Sequence, residues 1–319
     1  MRYTLFCSEF NASTDFDIKT MIPKSFIGVT ILIMLISMRL AADDLAGLSD
    51  EFNDASSLLK WKRVDEVEKW GANQLEQFDI GKSRSGMMTM IPYTSVWYQD
   101  YRGILVFKEI EGDFVVTTEL EVNRRNGDGA PRSQFSLAGI MIRAPRKITP
   151  ETWKPGGENY IFLSLGSADS PGVFQFEVKT TINSDSQLQI SDGEAHSVIQ
   201  VARIGAHVIT LKKSPEGNWI VHRRFNRPDM PPIMQVGLTC YTDWPTCSRL
   251  DPKEHNQSVI KNGNPDLVAR FEYVRYHRPQ IPAQWKDANL SDPSVISDAQ
   301  LLQFLGQKAN KPAPEQPSP

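Results

Sequence analysis

Two glutamates on predicted strands, Glu119 and Glu177, are the side chains best suited to acid and base chemistry. A pair of carboxyl groups can cleave a glycosidic bond when the two lie roughly 5–10 Å apart and flank the sugar. Arg143 would join them if its strand lies next to the strand of Glu119. The alternative is a solvated ion pair on an exposed sheet face, which contributes little to stability.

Aromatic residues outside the clean strand patterns form a second candidate site. Flat rings bind sugar faces by apolar contact, and their polar edges fix the orientation of the sugar. Loops on a rigid scaffold often carry binding residues, whereas the alternative is a set of loop aromatics folded onto the rim of the core. The residues are Trp97, Tyr98, Tyr101, Trp153, Tyr160 and Trp244, with Arg143 as a polar contact.

Ligands for a metal ion are sparse in the sequence. Asp50, Asn53 and Asp54 could give oxygen ligands to calcium, although their spacing is not that of an EF-hand loop. The Asn-Gly-Asp turn at residues 126–128 has the same chemistry, and turn formation is the alternative for both stretches. No nucleophile arrangement and no glycine-rich phosphate loop is visible. We therefore predict no metal site and no cofactor, with calcium as the one ion left open.

Cys240 and Cys247 are close enough in sequence for a disulfide in an oxidising compartment. The alternative is two free thiols, one in a strand and one in a loop. A metal site is not expected here, because the nearest histidine, His255, has no further ligand at a suitable spacing.

The N-terminal 42 residues have the pattern of an export signal. Lys19 and Lys24 precede the apolar run 26–38, and small residues follow up to Ala42. The run is shorter than the roughly 20 apolar residues that a membrane span needs. We predict a signal peptide at residues 21–42, cleaved after Ala42, and hence a secreted or periplasmic protein.

Two alternatives remain open at this end of the chain. An uncleaved signal would act as an anchor, and it is the only membrane contact that the sequence predicts. Translation could also begin at Met21 rather than at Met1, because residues 1–20 are polar and unusual before a signal.

The elements that must position the candidate residues are predicted β-strands. Residues 113–143 contain two of them, separated by a turn region rich in Gly, Asn, Pro and Arg. Apolar and polar residues alternate in the first strand, and Ile140 and Ile142 in the second point away from Met141 and Arg143. We expect two central strands of a sandwich, each with one face in the core and one face able to meet a ligand.

The whole chain is predicted to be organised around one all-β sandwich. About a dozen short strands at regular spacing, with no long helix between them, favour this architecture. The sandwich is assigned to residues 43–282, entered by an edge strand at residues 45–59, after the extension and signal at 1–42. Residues 283–319 are predicted to hold a short helix at 297–308 and a Pro-rich disordered tail from Ala309.

Several short motifs occur in an order that is typical of a known superfamily. They are Asp50-Glu51-Phe52-Asn53-Asp54, Trp61, Gly112-Asp113-Phe114, Ala138-Gly139-Ile140-Met141-Ile142-Arg143, Trp219, Val236-Gly237-Leu238 and the stretch 271–279. This order resembles the concanavalin A-like lectin/glucanase superfamily. Within it, residues 45–279 are similar to secreted bacterial domains of the DUF1349 type.

The resemblance implies a jelly-roll β-sandwich with a concave sheet of the kind commonly used to hold sugars. Glycosidases of the superfamily carry acids in the order Glu-x-Asp-x-x-Glu, whereas the nearest stretch here, Glu109-Ile-Glu111-Gly-Asp113, lacks that order. We therefore expect a carbohydrate-binding module without clear catalytic residues. The alternatives are a glycoside-active enzyme that uses Glu119 and Glu177, or a protein-interaction domain of the cell envelope.

Composition limits the partners of this chain. The formal net charge of −3 shows no basic excess, so nucleic acid is not an expected partner. The partner implied by the resemblance is a polysaccharide or another glycan.

Overall fold

Fourteen β-strands form the framework of residues 43–306, which are the residues that the computed structural model describes. The predicted signal at residues 21–42 and the predicted tail from Ala309 lie outside this range. In chain order the strands are β1 (Lys62–Arg63), β2 (Leu75–Ile80), β3 (Met88–Pro92), β4 (Ile104–Glu111), β5 (Phe114–Asn123), β6 (Ser136–Arg143), β7 (Tyr160–Ser167), β8 (Gln175–Ile182), β9 (Asp185–Asp192), β10 (His196–Ile204), β11 (His207–Lys213), β12 (Trp219–Asn226), β13 (Ile233–Tyr241) and β14 (Val268–His277).

The strands pair into two antiparallel sheets of seven strands each. Sheet I has the order β1-β4-β13-β6-β7-β8-β9, and sheet II has the order β12-β11-β10-β5-β14-β3-β2. Many neighbours within a sheet are distant in sequence, so the chain crosses repeatedly between the two sheets. The predicted all-β jelly-roll sandwich is confirmed.

Alternate residues of the facing strands fill the space between the sheets. Each contributing strand turns one set of side chains inward, as the alternating pattern predicts. Examples are Phe114, Val116, Leu120 and Val122 on β5, Ala138, Ile140 and Ile142 on β6, and Met234, Val236, Leu238 and Cys240 on β13.

The two strands predicted at the centre of the sandwich do lie there, but in different sheets. β5 is the fourth strand of sheet II and β6 is the fourth strand of sheet I. Their apolar faces therefore meet across the core, and their other faces point away from each other. The expectation that Glu119 and Arg143 lie on adjacent strands is wrong, because alternation within a strand specifies its faces and not its neighbours.

A C-terminal segment covers part of the outer face of sheet II. The helix α4 (Asp298–Leu305) begins at Ser297, whose side chain forms a capping box with Gln300. This confirms the predicted short helix, although the segment packs on the sandwich rather than apart from it. Apolar side chains of this segment contact sheet residues such as Val115 and Leu211. The contributing side chains of the segment are Trp285, Leu290, Ile296, Leu301 and Leu305.

The other helices are shorter than α4. They are α1 (Val64–Val67), α2 (Trp244–Cys247) and α3 (Pro252–Asn256). No helix within residues 43–306 has the length and apolar character that crossing a bilayer requires.

The predicted edge strand at residues 45–59 is wrong. This stretch forms the 3₁₀ turns Ala46–Leu48 and Ala55–Lys60, and only Asp50 makes a bridge to β14, at Val274. The Asp54 carboxylate caps the second turn by accepting from the backbone N–H of Ser56. Such short polar side chains favour turns by bonding to nearby backbone groups.

Candidate functional site

The outer face of sheet I, expected to be an open concave surface, is largely covered. A second apolar cluster fills it with side chains from β4, β6, β7 and β13 and from the segments that cross the sheet. The buried members from those crossing segments are Val64, Val96, Trp97, Tyr101, Ala168 and Cys247. A long groove is therefore absent from the described part of this face, and a compact pocket is found there instead.

The pocket opens beside β8 and β9 and has a volume of about 150 Å³. Its walls are mainly aromatic, and one cation, Lys179, lies among them. The lining residues are Val96, Trp97, Tyr98, Phe135, Lys179, Leu188, Tyr241 and Trp244. We call it the aromatic pocket. It brings together three residues predicted as ligand contacts, namely Trp97, Tyr98 and Trp244, from two distant parts of the sequence.

The half-buried Trp244 forms one wall and is held by its neighbours. It begins α2, directly after Asp243, whose carboxylate accepts hydrogen bonds from Thr94 Oγ1 at 2.7 Å and from the backbone N–H of Asn264 at 2.6 Å. Tyr98 and Tyr101 present their ring edges to Trp244, with centroids 5.1 and 5.6 Å away. Tyr101 does not line the pocket but supports this wall.

The fully buried Trp97 forms the inner wall. Its indole Nε1 donates to the carbonyl oxygen of Ile104 at 2.9 Å. Tyr160 contacts the ring edge-on at a centroid distance of 5.5 Å, and the guanidinium of Arg143 lies 5.4 Å from the ring centroid. Tyr160 and Arg143 were predicted as ligand contacts, whereas in the structure they lie behind Trp97 and fix its position.

Lys179 is the polar group of the pocket and is only 2% exposed. Its Nζ donates to the carbonyl oxygen of Trp97 at 2.9 Å and forms an ion pair with Glu177 Oε1, also at 2.9 Å. Burial lowers the pKa of Lys179, and the attraction of Glu177 opposes that shift. Four ring centroids lie between 4.8 and 5.9 Å from Nζ, those of Tyr98, Phe135, Phe162 and Tyr241.

Glu177 lies beneath the pocket and is completely buried. The hydroxyl of Tyr241 donates to Glu177 Oε2 at 3.4 Å. Burial, followed by the nearby negative charge of Glu177, raises the pKa of Tyr241 well above its ordinary value. Tyr241 thus stays protonated and serves as a donor to the carboxylate.

A second buried ionic cluster lies behind Trp97. Arg143 donates from Nε and Nη2 to the two oxygens of Glu158, at 2.7 and 2.9 Å, and pairs through Nη1 with Glu68 at 2.7 Å. Arg146 also reaches Glu158, at 2.7 Å. Burial acts to lower the pKa of Arg143, but Glu158 and Glu68 outweigh it and the pKa is raised. The predicted ligand contact by Arg143 is wrong, because its side chain is 0% exposed.

Glu119 and Glu177 cannot flank one sugar. Glu119 projects from the outer face of sheet II, and Glu177 projects from the outer face of sheet I, with the sandwich between them. Glu119 forms an ion pair with the exposed His196 at 2.9 Å, and Glu272 lies close to both. The predicted catalytic use of Glu119 with Glu177 is therefore wrong.

Trp153 lies outside the pocket lining. It is half-buried and meets Trp70 edge-on, with ring centroids 6.3 Å apart. It belongs to the loop between β6 and β7 and is not among the residues that line the pocket. The structure thus does not bring Trp153 to the pocket.

Cys240 and Cys247 are free thiols, which corrects the predicted disulfide. Cys240 packs in the core between the sheets, whereas Cys247 belongs to the cluster on the outer face of sheet I. Their side chains therefore lie on opposite sides of one sheet. Burial raises the pKa of both thiols, so neither is a reactive thiolate.

The oxygens considered for calcium mostly serve turns. Asp50 accepts from the backbone N–H of Phe52 at 2.9 Å and from the Trp61 indole at 3.2 Å. Asp54 accepts from the backbone N–H of Ser56 at 2.9 Å. Residues 126–128 lie in an exposed bend. These contacts are those of turn and cap chemistry.

Besides Val96, the lining residues that were not predicted from the sequence are Lys179, Tyr241, Phe135 and Leu188. Lys179 had one usable signal, since Glu177 and Lys179 alternate with the inward Phe176 and Val178 and so share the outer face of β8. The other three could not be identified without knowing how the strands pair. Tyr241, for example, is the last residue of β13, and β13 pairs with β6, a strand that is distant from it in the sequence.

No family model and no curated protein matches the sequence. Solved structures with a similar fold include a functionally unknown protein from Saccharomyces cerevisiae, with 14% identity, a TM-score of 0.48, and coverage of 70% of this chain and 99% of that one. The GH43 BlXynB protein from Bacillus licheniformis has 12% identity and a TM-score of 0.48, covering 74% of this chain and 40% of that one. Basic winged bean lectin with Tn-antigen has 10% identity and a TM-score of 0.43, covering 72% of this chain and 96% of that one. Similarity at this level carries no argument about activity.

Proposed function

We propose that this chain is a carbohydrate-binding module and that its ligand site is the aromatic pocket. One observation carries the proposal: Trp97, Tyr98 and Trp244, chosen from sequence for sugar contact, line a single pocket. Aromatic rings offer flat apolar faces to a sugar ring, and Lys179 supplies a polar donor that orients it.

The geometry supports sugar binding without catalysis better than it supports glycoside hydrolysis. The hydrolytic alternative required Glu119 and Glu177 to share one groove, and they lie on opposite outer faces of the sandwich. Glu177 is engaged by Lys179 and Tyr241 beneath the pocket wall. Its arrangement is that of a supporting group rather than of a general acid in contact with solvent.

The finer family assignment is part of the same proposal. The motifs between residues 45 and 279 resemble DUF1349-type domains. Because a fold hosts many functions, the argument for sugar binding is based on the pocket and not on the family.

The binding proposal predicts that Trp244→Ala weakens glycan binding at least tenfold, or about 1.4 kcal/mol. Trp244 is half-buried at the pocket wall, so its removal deletes contact area without opening the core. The measurement is a glycan array followed by titration calorimetry with the best glycan. Trp219→Ala is the matched control, because Trp219 is also half-buried but lies on sheet II. Equal loss in both variants, or no glycan bound at all, would contradict the proposal.

We also propose that the protein acts outside the cytoplasm. The support is the basic, apolar and small-residue order of residues 21–42. Sequencing of the N-terminus from fractionated cells is expected to give Asp43 as the first residue in the secreted or periplasmic fraction. An intact N-terminus in the cytoplasmic fraction would contradict this prediction.

A further inference from the structure

The size of the aromatic pocket limits what it can hold. Its volume of about 150 Å³ is half of the roughly 300 Å³ at which sites for drug-sized ligands begin. The surrounding outer face of sheet I is covered by the second apolar cluster. A chain of several sugars lying along the sheet therefore has no surface to follow, whereas one sugar ring can enter the pocket from its end.

The hydrogen bonds of Lys179 identify the kind of ligand group that fits. A lysine ammonium has three N–H donors and no acceptor. One donor is used by the carbonyl oxygen of Trp97, and the ammonium also forms an ion pair with Glu177 Oε1. Among the described residues the ammonium has no further oxygen or nitrogen partner for its remaining N–H, although the side chain is 98% buried and Lys179 is one of the residues that line the pocket. A ligand hydroxyl or ring oxygen would satisfy this donor.

The charges around the pocket restrict the ligand further. Glu177 already balances the charge of Lys179 at 2.9 Å, and the remaining walls are apolar or aromatic. An acidic sugar would bring an unbalanced anion among these rings, and an amino sugar would place a second cation beside Lys179. Burying an unpaired charge is costly, so a neutral ligand is favoured.

We propose that the aromatic pocket recognises one neutral sugar residue at the end of a glycan chain or branch, with Lys179 as the donor that selects it. This inference rests on the function proposed above and adds the ligand class. Trp97, Tyr98 and Trp244 would contact the apolar ring faces, and the ammonium would bond to one oxygen of the sugar. The specificity is thus for a neutral terminus and not for a chain interior.

The test uses an array that pairs neutral-terminated glycans with counterparts ending in a uronic acid, followed by calorimetry with the methyl glycoside of the best terminal sugar. The full chain is expected to bind neutral termini at least tenfold more tightly than uronate termini. Lys179→Met alone leaves Glu177 buried without a cation, so the deciding variant is Lys179→Met with Glu177→Gln, which removes both charges together. That double variant is expected to lose at least tenfold in affinity.

The outcomes separate this inference from the proposed function. If Trp244→Ala loses binding but the double variant binds like the unaltered protein, the pocket binds sugar and the role of Lys179 is wrong. Preference for uronate termini or for chain interiors would also overturn the inference while leaving the binding module intact. Absence of binding to every glycan would overturn both. Circular dichroism of the double variant confirms that a loss of affinity is not a loss of fold.

Discussion

Arg143→Leu is expected to lower the free energy of unfolding by about 3–5 kcal/mol, because removing one partner of a buried ionic cluster leaves the remaining charges buried and unpaired. Arg143 pairs with both Glu158 and Glu68, and all three side chains are at most 2% exposed. Leucine would leave two buried carboxylates without the cation that they share, with Arg146 as the remaining ion-pair partner of Glu158. Urea unfolding followed by tryptophan fluorescence measures the loss.

The matched control is an exposed ion pair of the same sheet. Lys62 pairs with Glu109, and their side chains are 53% and 43% exposed. Lys62→Met should cost no more than about 1 kcal/mol, because solvent screens such pairs. Equal costs for Arg143→Leu and Lys62→Met would show that the cluster behind Trp97 does not stabilise the fold.

The loss in Arg143→Leu should depend on pH in a defined direction. Burial acts to raise the pKa of Glu158, but Arg143 and Arg146 outweigh it and the pKa is lowered. A carboxylate with a lowered folded-state pKa stabilises the fold above its unfolded pKa, and this contribution is lost as pH falls through the folded pKa. The difference in unfolding free energy between the unaltered protein and Arg143→Leu should therefore be larger at pH 7 than below the ordinary glutamate pKa of 4.5. A difference that grows on acidification would contradict this assignment.

Trp97→Ala is expected to cost about 3–5 kcal/mol of stability, the range for truncating a fully buried large aromatic residue. The substitution opens a cavity between Tyr160 and Arg143 and removes the hydrogen bond from the indole to Ile104. Differential scanning calorimetry measures the loss, and Trp97→Phe, which keeps most of the ring volume, should recover part of it.

A comparison of Trp97→Ala with Trp244→Ala should therefore distinguish an effect on stability from an effect on ligand binding. Trp97→Ala would weaken binding largely because the pocket wall collapses, so it is a poor probe of ligand contact. Trp244→Ala should cost clearly less stability, because its ring is half-buried and already meets solvent. A larger stability loss in Trp244→Ala than in Trp97→Ala would contradict the assignment of inner and outer walls.

Local sequence pattern was sufficient to predict the central strands. In β5 and β6 one set of alternating side chains is mainly apolar and rich in β-branched residues, which specifies both the strand and its inner face. The two-residue turn at Gly205 and Ala206 likewise predicts the hairpin of β10 and β11, where Ile204 pairs with His207.

Relations between distant strands could not be predicted in the same way. The outward position of Glu119 and of Arg143 followed from alternation, but which sheet each strand joins depends on long-range pairing. Placing the two residues on adjacent strands was wrong for this reason. The edge strand β9 is difficult to predict because most of its residues are polar and it pairs with β8 alone within sheet I.

Only part of the aromatic pocket could be predicted, because its residues also come from distant parts of the chain. Aromatic residues in loops pointed to Trp97, Tyr98 and Trp244, because large rings outside strand patterns must pack or bind somewhere. The outer-face position of Lys179 on β8 was visible in the sequence, but a lysine on an outer face is usually solvated, so its burial by loops could not be predicted. Arg143 was misread in the opposite way, since its outward direction suggested access to solvent.

The position of the ligand is tested most directly by the indole N–H signals of the tryptophans during titration with the glycan selected on the array. Binding in the aromatic pocket should shift the signals of Trp97 and Trp244 and saturate them together, while those of Trp61, Trp219 and Trp285 stay in place. Saturable shifts confined to Trp61, Trp219 or Trp285 would place the ligand elsewhere and contradict a binding site in the aromatic pocket.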